Sequence, residues 1–72
     1  MKVWEQGTRL KHFKGNLYTV VTMALEVSSD KEIPYCVYTD GNNTYCRPVS
    51  NMQDIVVNFQ GKSVQRFVEA SK

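Results

Sequence analysis

The chain has 72 residues, 42% of them apolar and 22% charged, and its nine Lys and Arg set against seven Asp and Glu leave a net charge of +2. This is the profile of one small globular domain over residues 1–72, with a core over about 9–68; it excludes a second domain and an extended disordered chain. No apolar run approaches the ~18 residues of a membrane-spanning helix, and the opening stretch MKVWEQGTRL lacks the apolar region of a secretory leader, so a cytoplasmic location is expected.

Strand signals dominate in chain order. Arg9 to Phe13 reads as a first strand, closed by a turn at Lys14-Gly15-Asn16. Leu17 to Val27 is rich in β-branched residues and uninterrupted by Gly or Pro, which predicts a long strand. A helix over Val21 to Val27 is the competing reading, opposed by the valines and by the Ser28-Ser29-Asp30 run that follows. Ile33 to Tyr38 is the next strand, with Pro34 marking an edge or a bulge. Asp40-Gly41-Asn42-Asn43 is the strongest local signal, because Asp, Asn and Gly tolerate positive φ, and it predicts a hairpin turn. Thr44 to Arg47 returns and Pro48 stops it; Val49 to Gln53 reads as a short turn or 3₁₀ segment. Asp54 to Phe59 is a further strand, Gly61-Lys62 a turn, and Val64 to Val68 a last short strand. The expectation is an all-β fold: a small SH3-like antiparallel barrel of five or six short strands with one 3₁₀ turn. An open sheet that closes by dimerising is the alternative.

Few residues suggest chemistry. With one His and no C-x-x-C spacing, neither a metal site nor a cofactor is expected. Cys36 and Cys46 flank the Asp40 turn within a residue or so of register, a placement that admits a cross-strand disulfide; without a leader they are expected to remain free thiols. A domain this small buries only ~60% of the surface its unfolded chain exposes. With metal and disulfide set aside, homo-oligomerisation is the expected support.

Arg9, Lys11, His12 and Lys14 form the one concentration of basic groups, read either as a charged strand edge or as an anion site in which Lys14-Gly15-Asn16 offers backbone N–H groups. His12 has no nucleophile in an elbow-like context, so catalysis is not expected. Tyr35, Tyr38, Tyr45 and Arg47 gather near one hairpin, where tyrosines offer stacking surfaces. Arg47, its backbone restricted by Pro48, suits a carboxylate or phosphate, or clamps an internal carboxylate such as Asp54 or Glu26. A +2 charge is too small for a nucleic-acid footprint.

The run Arg9 to Val20, with the later Val37-Tyr38, Tyr45-Cys46-Arg47-Pro48 and Arg66-Phe67, resembles a small domain-of-unknown-function family of bacteria and their phages. That family has a Y-x-H-x-K-G-x-x-Y-x-V opening, an aromatic-x-R-P stretch and a terminal R-F. Leu10 stands where the family pattern has an aromatic, and Cys46 interrupts a W-V-R-P-like run. The resemblance implies a compact β-barrel and no established activity. By analogy with small phage proteins that sequester nucleotide immune signals, the expected function is non-enzymatic: binding and sequestering a small anionic, nucleotide-like ligand through His12, Lys14, Tyr18, Tyr38, Tyr45 and Arg47. The alternative is an SH3-like protein–protein module that takes a peptide or a host protein.

Overall fold

The computed structural model describes residues 4–70; the ends of the expected 1–72 domain, residues 1–3 and 71–72, lie outside the described residues. Each predicted strand is present, with altered ends. β1 is Arg9–His12, β2 Leu17–Glu26, β3 Ile33–Thr39 and β4 Thr44–Pro48. After β4 comes a single α-helical turn, α1 (Val49–Met52), then β5 (Ile55–Val57), β6 (Ser63–Gln65) and β7 (Phe67–Glu69). The described chain therefore has seven strands where five or six were expected.

The additional strand comes from splitting the last predicted one at Arg66. β6 pairs with β5 in a two-stranded ribbon, whereas β7 pairs with β1 at the end of a five-stranded antiparallel sheet of order β4-β3-β2-β1-β7. Arg66 makes the crossing: its N–H donates to the Asp54 carbonyl at 2.8 Å, and its own carbonyl accepts from the Phe13 N–H at 2.9 Å. The backbone groups of the break are thus satisfied by both sheets, as chain lying against a core requires.

The segment expected as a short turn or 3₁₀ piece is one α-helical turn rather than 3₁₀. Pro48 precedes it with φ −57°, and the Gln53 N–H closes onto the Val49 carbonyl at 3.0 Å. This turn exists because Val49 and Met52, three apart, share one side of it, and both are fully buried. They cap a core of Trp4, Leu10, Val20, Cys36, Tyr38 and Phe67. Each fully buried large side chain contributes roughly 1.5–3 kcal/mol.

β2 does not keep one alternation throughout. A bulge lies between Val20, which pairs with Tyr38, and Thr22, which pairs with Val37. Val21 is the extra residue, so the strict odd/even split of Leu17 to Val27 holds only up to it. At the bulge the N-terminal segment docks: the Val20 N–H donates to the Thr8 carbonyl and the Gly7 N–H to the Val20 carbonyl, both at 2.8 Å. A bulge adds bend and twist, and the consequence is visible across the sheet. β3 and β7 are three strand spacings apart, ~14 Å in a flat sheet, yet the rings of Tyr38 and Phe67 lie 5.5 Å apart. The sheet is curled into a trough. Hydrogen bonding does not close it into the expected barrel, because β4 and β7 remain its two edges. No helix among the described residues is long and apolar enough to cross a membrane.

Candidate functional site

The β1–β2 turn and the Asp40 hairpin lie at the same end of the trough, since β1, β2, β3 and β4 run antiparallel in succession. Both turns are locally built. Gly15 takes φ +107°, a conformation L side chains rarely adopt, and its N–H donates to the His12 carbonyl at 2.8 Å. Asp40 Oδ1 accepts from the N–H groups of Asn42 and Asn43, each at 2.8 Å. Those bonds hold its carboxyl below the usual carboxylate range.

Side chains converge at this end on Phe67, which is 1% exposed. His12 meets its ring edge-on at 4.8 Å, Tyr38 at 5.5 Å and Tyr18, tilted, at 5.7 Å. Tyr18, Tyr38 and Tyr45 also contact one another, with centroids 5.3 Å (Tyr18–Tyr38), 5.5 Å (Tyr38–Tyr45) and 6.2 Å (Tyr18–Tyr45) apart. Ring distances in this range, with tilted or edge-on planes, are the favourable ones. Arg47 reaches in from β4, its guanidinium carbon 5.5 Å from the Phe67 centroid. Its charge also bears on Tyr38: burial pushes that phenol up, and the arginine pulls it partly back. Tyr45 lies at the rim and donates its hydroxyl to Asp40 Oδ2 at 2.9 Å.

Burial lowers the His12 pKa from the ordinary 6.5, and three cations, Arg47, Lys14 and Arg66, lower it further, while the Asp40 carboxylate sits at the rim on the Tyr45 hydroxyl. The His12 tautomer is also set. The Lys14 N–H donates to His12 Nδ1 at 3.1 Å, so the neutral ring carries its proton on Nε2. The arrangement is a hydrogen-bond donor, a guanidinium and three phenols around one aromatic floor. It contains no nucleophile–base pair.

Five of the six expected site residues therefore meet: His12, Tyr18, Tyr38, Tyr45 and Arg47. Lys14 stands apart, fully on the surface of the turn with its ammonium 5.8 Å from the Phe13 ring, and acts on the cluster through charge. Tyr35 is on the other face, where it lines a separate groove. Among the described residues Arg47 clamps neither Asp54 nor Glu26; its guanidinium lies over the Phe67 ring and its charge bears on the Tyr38 phenol. The expected residues omit Phe67 and Arg66. Arg66 packs behind the site, its Nε donating to the Asn51 carbonyl at 3.1 Å. The terminal Arg66-Phe67 pair of the family pattern was the available signal for both.

The cysteines do not approach a disulfide. Cys36 pairs with Arg47 and Cys46 with Val37, so the one-residue offset points them to opposite faces. Cys36 is buried, and Cys46 is exposed.

The profile of the family described as protein of unknown function (DUF1653) matches residues 8–69, and the chain belongs to that family. No curated protein and no solved structure matches it.

Proposed function

We propose that this DUF1653 chain is a non-enzymatic binding protein whose aromatic–cationic cluster takes a small anionic, nucleotide-like ligand. The trough is read as an SH3-like barrel left open along its β4–β7 seam. The observation that carries the reading is the environment of His12: three cations bear on it (Arg47, Lys14 and Arg66), and it shares Phe67 with Tyr18 and Tyr38. A ligand that combines negative charge with a flat ring satisfies both halves. Arg47 holds the phosphate, a guanidinium giving paired donors, and Lys14 adds positive charge from the turn. His12 donates from Nε2, and Tyr45, at the rim, offers the base a stacking face. The biological role that follows is sequestration, as of a nucleotide immune signal during phage infection.

Isothermal titration against linear and cyclic nucleotides, with inorganic phosphate as the control, tests the reading. Expected is binding of a nucleotide that phosphate alone does not match, weakened by added salt and abolished by Arg47→Glu in a folded variant. No binding across the panel, or equal binding by Arg47→Glu, refutes the assignment. A peptide-binding module would instead lose function on Tyr→Ala changes and depend little on salt.

A further inference from the structure

The outer face of the sheet carries a groove of about 260 Å³ lined by Ala24, Leu25, Glu26, Tyr35, Val37 and Cys46. Glu26 is its one charged residue, and the Glu26 carboxylate is held in place by accepting from the Ser28 N–H. The groove is smaller than the ~300–1,000 Å³ of typical small-molecule pockets. It is ample for one aromatic ring, since an apolar cavity of ~150 Å³ holds benzene.

The same chain displays such a ring. Phe59 is 93% exposed at the tip of the β5–β6 ribbon. Its turn is stiff: Asn58 Oδ1 accepts from the N–H groups of Gln60 at 2.9 Å and Lys62 at 3.0 Å, and the Asn58 N–H donates to the Lys62 carbonyl at 2.9 Å. Ile55 and Val57, each 66% exposed, continue the apolar side of the ribbon toward Phe59. A phenylalanine so exposed on a hydrogen-bonded turn is an anchor side chain without a pocket, and aromatic residues are enriched at interface cores. Charge follows shape. The cation in the turn is Lys62, and the anion at the groove is Glu26.

We propose that the occupant of the groove is a second copy of this chain, with Phe59 of one copy seated against Ala24, Val37 and Cys46 of the other and Lys62 facing Glu26. Knob and groove are different surfaces, so the contact either reciprocates about a twofold axis or continues head to tail. It leaves the His12–Arg47 cluster free, because Cys46 and Arg47 point to opposite faces of β4. It is therefore independent of the nucleotide reading.

Sedimentation and disulfide trapping test this together. The wild-type chain is expected to self-associate. Phe59→Ser, a surface change that leaves the circular dichroism melt intact, weakens association at least tenfold. Lys62→Glu weakens it, and adding Glu26→Lys restores it. Gln60→Cys, which keeps the Phe59 ring, gives on oxidation an intermolecular cross-link on a non-reducing gel that disappears when Cys46→Ser is added. A wild type that stays monomeric at its highest soluble concentration overturns the proposal. So does association untouched by Phe59→Ser, or a Gln60→Cys cross-link that persists without Cys46.

Discussion

The guanidinium of Arg47 lies 5.5 Å from the ring centroid of Phe67 and so joins the two edge strands of the sheet. In a flat sheet β4 and β7 would be four spacings apart, ~19 Å. One cation–π contact thus spans a seam that no backbone hydrogen bond closes, and it does so within the cluster assigned to the ligand. Removing it therefore tests fold and function at once. Arg47→Ala is expected to cost about 1 kcal/mol in urea unfolding, the scale of a partly exposed cation–π pair, and to lose nucleotide binding. Arg47→Lys restores much of the stability and little of the binding, because the paired donors are gone. Urea unfolding and calorimetry on the two variants separate the contributions.

Phe67 carries the floor of the site and the centre of the core. Phe67→Ala leaves a cavity under His12, Tyr18 and Tyr38 and is expected to cost about 3–5 kcal/mol, most of the margin of a domain this small. Circular dichroism should show a chain largely unfolded at 37 °C. Phe67→Leu, which keeps most of the volume, should fold and still lose ordered tyrosine packing in near-UV dichroism.

His12 makes stability depend on pH with a definite sign. Its folded pKa is lowered by burial and by Arg47, Lys14 and Arg66, so the unfolded chain binds the proton more readily. The contribution is complete above the ordinary 6.5 and is lost as pH falls from there through the folded value. The melting temperature is expected to decline over that window, and His12→Asn should flatten the decline. Proton NMR of the imidazole should give a midpoint below 6.5 in the free protein. A bound phosphate should move that midpoint upward.

The two thiols should react unequally. Burial pushes Cys36 up to about 11, whereas Cys46 is exposed on the outer face. Native-state alkylation followed by mass spectrometry is expected to give a single adduct, at Cys46, with the second appearing only in denaturant. An oxidised chain should show no intramolecular disulfide, because adjacent register positions point to opposite faces.

Local chemistry determined much of this protein from its sequence alone. Strand content, the turns at Gly15 and Asp40-Asn43, and the stop near Pro48 depend on neighbours a few residues apart, through β propensity, tolerated φ and side-chain-to-backbone hydrogen bonds. The gathering of Tyr38, Tyr45 and Arg47 about the Asp40 hairpin was legible for the same reason, whereas Tyr35, expected with them, lies on the other face, and the folded sheet is what brings His12 and Tyr18 to them. The tertiary structure decided the rest. The bulge at Val21 relieves pairing between β2 and β3, a condition set by two strands together. The last strand breaks at Arg66 because Asp54 and Phe13 both claim its backbone. Val49 to Met52 coils into a helical turn because the core end needs two apolar plugs on one side. Phe67 reaches Tyr38 and Arg47 only because the sheet curls, and curvature comes from packing the whole apolar face at once, which no short stretch of sequence encodes.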